Sequence, residues 1–182
     1  MSRAAVLLID GFEETEAITV IDVLRRGELR VDVLGVEKRR VVGSHQIAVE
    51  ADALLADHAG DRYQAVILPG GMPGAAKLRD HDGVQAFVKA HHAAGRTVAA
   101  ICAGPIALGK AGVLQGKRAT CYPGFEEQLL GANVQRATPV VKDGNVVTSR
   151  GPGTALAFAL ALVEELRDTA TAQKLAAAML VG

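Results

Sequence analysis

The sequence predicts a mostly parallel α/β sheet covered by helices on both faces, with short antiparallel hairpin additions. Three observations carry this. Four short runs rich in β-branched and aliphatic residues recur at 4–9, 30–36, 65–70 and 97–102. They are apolar throughout instead of alternating with polar residues, so both sides of each strand need cover. Segments with helical spacing lie between them, which is the pattern of βα units in a parallel sheet.

Taken in order, "AAVLLI" (4–9) is the first strand, and "EETEAITVIDVLRRG" (13–27) is a helix whose Ile18, Ile21, Val23 and Leu24 share one face. "RVDVLGV" (30–36) is the second strand. "RRVVGSHQIAVEAD" (39–52) joins two short β-type runs, expected as an antiparallel addition to the core sheet. "AVILPG" (65–70) and "TVAAIC" (97–102) are core strands flanking the amphipathic helix "DGVQAFVKAHHAAG" (82–95). "PVVKDGNVVTSR" (139–150) is a second hairpin, turning at Asp143-Gly144. "GTALAFALALVEELRD" (153–168) is strongly helical, and 169–180 forms a last helix capped by Thr169 or Thr171. No repeat, linker or low-complexity tract interrupts the chain, so 1–182 reads as a single domain.

Composition excludes several function classes. With 49% hydrophobic and 22% charged residues the chain is not disordered. Lysine plus arginine and aspartate plus glutamate number 20 each, and no basic block gives a nucleic-acid signal. The longest apolar run, Ala155 to Val163, falls far short of the roughly 20 residues of a membrane span. The N-terminal apolar stretch is too short for a signal peptide and is broken by Asp10. The expected setting is therefore soluble and cytoplasmic, with Cys102 and Cys121 as free thiols.

"VAAICAGPIALG" (98–109) places Cys102 where a strand gives way to a helix. Ligands of open α/β sheets gather at such carboxyl ends of strands. A nucleophile on a sharp strand-to-helix turn needs small residues about two positions either side, and here these are Ala100 and Gly104. Free amides at a helix start hold an oxyanion and favour thiolate, which lowers a cysteine pKa below about 8.5. The bland alternative is a packed thiol closing a hydrophobic strand. Gly70, Gly71 and Gly74 in "LPGGMPGA" allow close backbone approach but match neither a dinucleotide fingerprint nor a phosphate loop. Glu13, Glu14 and Glu16 suit the helix dipole in a first turn and by default face solvent. At a strand end, one of them can instead enter the crevice with Cys102, hold a proton by burial and pass it on.

"GFEETEAITVIDVLRR", "VILPGGMPGA", "AAICAGPIAL", "KRATCYPG" and "VVTSRGPGTALAFALALVE" resemble, in order and spacing, the ThiJ/PfpI superfamily in its protein deglycase branch. The resemblance implies a flavodoxin-like sandwich that forms a homodimer, with no metal or organic cofactor. It implies Cys102 as nucleophilic, oxidation-sensitive cysteine, Glu16 as its hydrogen-bonding carboxyl, and the Gly71 and Ala103 amides as oxyanion hole. Gly70, Ser149, Arg150 and Pro152 then surround the pocket. Two departures stand out. The peptidase branch follows its cysteine with histidine, where this chain has Ala103. The deglycase branch often has a His-Pro pair near the cysteine, here Tyr122-Pro123; tyrosine donates a hydrogen bond but is a poor base at neutral pH. Tyr122 joins the catalytic candidates on that ground. The five histidines, 45, 58, 81, 91 and 92, read as structural or surface residues, and Cys121 as a packed thiol.

The implied function is a cysteine-dependent glyoxalase or deglycase acting on methylglyoxal, glyoxal or their adducts on proteins, releasing hydroxyacids. Alternatives are a redox-sensing stress protein or chaperone using oxidation of Cys102, and, with less support, a cysteine peptidase or amidase.

Overall fold

The computed structural model describes residues 3–181. The chain runs β1 (Arg3–Leu8), α1 (Glu14–Arg26), β2 (Arg30–Gly35), β3 (Arg40–Val42), β4 (Ala48–Glu50), β5 (Ala53–Leu54), β6 (Ala65–Leu68), α2 (Gly74–Asp80), α3 (Asp82–Ala93) and β7 (Thr97–Ile101). It continues through α4 (Pro105–Lys110), β8 (Arg118–Ala119), β9 (Asn133–Val134), β10 (Val140–Asp143), β11 (Val146–Ser149), α5 (Ala155–Leu166) and α6 (Thr169–Ala178). Seven strands form one sheet in the order β10-β11-β7-β6-β1-β2-β5. All neighbours pair in parallel except β10, which returns antiparallel to β11 at the edge.

The apolar strands are covered on both faces, as their composition demands. Along β1, Ala4, Val6 and Leu8 pack with Val20, Leu24, Phe158 and Leu162 of α1 and α5. Ala5 and Leu7, on the other side of the pleat, meet Leu78, Val84, Val88 and Ile106 of α2, α3 and α4. The same alternation continues in β7, where Val98 and Ala100 face one layer and Ala99 and Ile101 the other.

Several expectations need correction. The 39–52 region does form an antiparallel pair, but β3 and β4 stand apart as a two-stranded ribbon instead of joining the core sheet. Ile18, assigned by spacing to the buried face of its helix, is exposed. The cap of α6 is Asp168, whose carboxylate accepts the Thr171 N–H at 2.7 Å, and not a threonine.

Topology fixes where a site can form. From β1 the chain moves to β2 on one side, while β6, β7 and β11 lie on the other. The loops leaving β1 and β6 therefore diverge and leave a crevice at the carboxyl edge. Glu13–Glu16 follow β1, Gly70–Gly71 follow β6, and Cys102 follows β7.

Candidate active site

Cys102 has φ 64°, the left-handed region that a side-chain-bearing residue rarely adopts. Such strain persists only where surrounding contacts impose it. The Cys102 N–H donates to Ser149 O at 2.9 Å, its carbonyl accepts the Tyr122 N–H at 2.9 Å, and Gly104 N–H returns to Ile101 O at 2.9 Å. Gly104 permits the tight turn, since a Cβ there would meet Leu68 O at 2.7 Å. The thiol is thereby lifted to the sheet edge yet remains 9% exposed.

Glu16 is fully buried beneath it. One carboxyl oxygen, Oε2, accepts the Gly70 N–H at 2.7 Å. The other, Oε1, is sealed from solvent without a hydrogen-bond partner, and the Cys102 thiol is close enough to this carboxyl for each group to shift the other's pKa. Gly70 is required by crowding: a Cβ would lie 2.5 Å from Cys102 Cβ, 2.8 Å from Glu16 Oε2 and 3.0 Å from Ala103 N. Gly71, at φ 87°, turns its own amide, like that of Ala103, toward the sulfur.

Electrostatics follow from this packing. Burial raises the Glu16 carboxyl from its usual 4.5 to about 7, against the lowering effect of the Gly70 amide and the thiol. The Cys102 thiol is also raised, to about 12, first by burial and then by the Glu16 carboxylate, while the Ala103 and Gly71 amides pull it down. The helix-start amides expected to lower this pKa are thus present, but burial, and after it the Glu16 carboxylate, outweigh them. Two negative charges cannot share this buried space: around neutrality the thiol keeps its proton while Glu16 passes from acid to carboxylate, so the pair carries at most one negative charge.

The DJ-1/PfpI family model matches residues 2–165. The chain belongs to the DJ-1/PfpI family. Protein dj-1beta of Drosophila melanogaster is 41% identical, covering 100% of this chain and 98% of its own length. The Parkinson disease protein 7 homolog of Danio rerio is 38% identical over 98% of this chain and 97% of its own. A protein named a deglycase in Pyrococcus abyssi is 33% identical over 91% and 99%. Among solved structures, Drosophila DJ-1beta superposes with TM-score 0.96 at 40% identity over all of both chains. An oxidized DJ-1 from Toxoplasma gondii does so with TM-score 0.94 at 37% identity, over 99% of this chain and 98% of its own. The fold expected from the resemblance, a mostly parallel sheet sandwiched by helices, is the fold of the family.

Within this DJ-1/PfpI architecture the remaining candidates separate. Tyr122, Arg150 and Pro152 line a cleft of about 270 Å³ with Gly151 and Thr154. Tyr122 is 46% exposed, and its hydroxyl is hydrogen-bonded to neither Cys102 nor Glu16. Ser149 lies behind the cleft and not on its wall: it is fully buried, donates to Pro139 O at 2.7 Å and meets Thr154 Oγ1 at 2.7 Å. Cys121 is a buried free thiol packed with the α2–α4 layer, whereas Cys102 packs with the opposite one.

Sequence reasoning missed one cluster. Glu14 is almost fully buried and accepts the His45 N–H at 2.7 Å and the Ile47 N–H at 3.3 Å, with His45 Nδ1 3.0 Å from its second oxygen. Burial raises its pKa, but His45 and these amides outweigh burial and hold the carboxyl down at about 2. One side-chain N or O atom from each of Glu13, Glu14 and His45 lies within 4.8 Å of the other two, so the surface histidine His45 has two carboxylate neighbours. These groups are engaged in pinning the β3–β4 ribbon to α1, a structural role. His91 is structural as expected: buried, its Nε2 accepts the Tyr63 N–H and its Nδ1 donates to Phe87 O. Among the described residues no helix is long and apolar enough to cross a membrane.

Proposed function

We propose that this protein is a cofactor-independent cysteine enzyme that converts small 2-oxoaldehydes, or the adducts they form on proteins, into hydroxyacids. The observation that supports the reading best is the proton-sharing pair: Glu16, with a pKa of about 7, buried against Cys102 on a strained turn that two amides face. A general acid–base group is most effective when its pKa lies near the working pH.

In this reading the reactive state has the proton on Glu16 and the charge on sulfur. Protonating Glu16 removes its share of the thiol's upward shift, and against the burial that remains the Glu16 O–H and the Gly71 and Ala103 amides stabilise the thiolate. Sulfur adds to the aldehyde carbon of methylglyoxal, and the carbonyl electron pair moves to oxygen, which the amides hold. Glu16 protonates that oxygen and, as carboxylate, removes the hydrogen from the former aldehyde carbon. Returning that proton to the neighbouring carbon leaves a lactoyl thioester. Water hydrolyses it to lactate and restores the thiol. The aldehyde carbon is oxidised and the ketone carbon reduced, so no external redox partner enters. As the family resemblance implies, the enzyme works as a soluble cytoplasmic homodimer.

Replacement of Cys102 by alanine, with folding checked by circular dichroism, is expected to abolish lactate production from methylglyoxal. Retained turnover rejects the proposal.

A second reading is favoured by the oxidized Toxoplasma gondii relative. The amides that hold an oxyanion also suit a Cys102 sulfinate, whose formation then signals oxidative stress. Mass spectrometry under mild peroxide, paired with a client-protection assay, separates the two. Sulfinate that forms without changing protection leaves only the enzyme.

A further inference from the structure

We propose that Arg150 makes this site selective for 2-oxoaldehydes that carry a remote carboxylate, an inference that rests on reading Cys102 as the nucleophile. Arg150 directly follows Ser149, whose carbonyl accepts the Cys102 N–H, and it lines the cleft beside Tyr122, whose own N–H donates to the Cys102 carbonyl. Its charge is permanent. Yet its side chain makes no hydrogen bond or ion pair with any described residue, and Nε is sealed from water without an acceptor.

A buried donor without a partner opposes folding unless something else uses it. The carboxylate whose field reaches Arg150, Glu126, is already held by Arg136 at 2.6 Å and by the Gly124 N–H at 2.7 Å. The rest of the wall, the Tyr122 ring with Gly151 and Pro152, offers apolar contact. A planar guanidinium that lines such a wall without a protein acceptor matches a carboxylate in shape and charge. The methyl group of methylglyoxal makes no use of it.

A suitable probe is 4,5-dioxopentanoate, a 2-oxoaldehyde ending in a carboxylate. With one water it gives 2-hydroxyglutarate and a proton by the same internal transfer, the aldehyde carbon oxidised and the ketone carbon reduced. Its neutral counterpart is 2-oxopentanal. The preference for the acid over the neutral aldehyde, as a ratio of kcat/KM, is expected to fall about 10- to 100-fold in Arg150→Gln. Arg150→Lys, which keeps the charge without the fork, is expected to recover part of it.

A second arm needs no turnover. In Cys102→Ala protein, followed by NMR chemical shifts, 2-hydroxyglutarate is expected to bind more tightly than lactate, and adding Arg150→Gln is expected to remove that advantage. If wild type turns over neither aldehyde, the enzymatic reading fails and this binding arm decides the role of Arg150 alone. A preference ratio unchanged in folded Arg150→Gln, or a product advantage that survives the substitution, overturns the proposal.

Discussion

Gly70→Ala tests whether the crowding beneath Cys102 sets its geometry. A methyl at this position would lie 2.5 Å from Cys102 Cβ and 2.8 Å from Glu16 Oε2, where ordinary contact begins at 3.4 Å. Relief requires the thiol, the carboxyl or the loop to shift by about 1 Å, and a misplacement of that size at a reacting centre costs about 100-fold in rate. Forcing one methyl into a packed site also costs about 1–3 kcal/mol of stability, which lowers Tm by roughly 2–4 °C per kcal/mol in a domain of this length. The alkylation rate of Cys102 by iodoacetamide reports the geometry whatever the natural substrate, and thermal unfolding reports the packing. Gly60→Ala is the control, because a Cβ there meets nothing within 4 Å. Wild-type alkylation and Tm in Gly70→Ala, matching the Gly60 control, refute the crowding argument.

Other expectations follow from the same contacts. Glu16 is raised from 4.5 to about 7, so it favours folding fully below pH 4.5 and opposes it as pH rises through 7. Glu16→Gln is therefore expected to gain about 2–3 kcal/mol on wild type between about pH 5 and pH 8; parallel Tm curves contradict this. Glu14 is lowered from 4.5 to about 2, so its support of the ribbon is full above 4.5 and is lost as pH falls from there through 2, and Glu14→Gln is expected to speed hydrogen exchange at the His45 and Ile47 amides at neutral pH. Unchanged exchange removes the latch. Phe158, fully buried between α5 and the sheet, is expected to cost about 3–5 kcal/mol on replacement by alanine, read by denaturant unfolding.

The parallel core was legible because buried parallel strands admit few polar residues, so β1, β2, β6 and β7 stand out as apolar runs. Helices α1 and α3 span three turns or more and show their period. By contrast, α2 has only seven residues and starts behind Gly71-Met72-Pro73, too short for a period to emerge. The β3–β4 ribbon reads as sheet, but its exposed side chains give no sign of where it docks; that is decided by Glu14, which meets its hairpin 31 residues on. Glu14 and Glu16 differ because two helical residues rotate by about 200°, sending one to the ribbon and the other beneath Cys102. Spacing alone left all three glutamates open, and only the family resemblance selected Glu16. The direction of the Cys102 shift was not legible either, since helix-start amides are visible in a sequence while burial and an opposing carboxylate belong to the folded chain.

The most direct test of the proton-sharing pair is a carboxyl ¹³C NMR titration of Glu16, assigned by the resonance lost in Glu16→Gln. A midpoint near 7, with the acid form still populated at neutral pH, is the expected result. A midpoint at the ordinary 4.5 would leave the proton on Cys102 beside a fully ionised carboxylate too weakly basic to take it at neutral pH, and would contradict the mechanism.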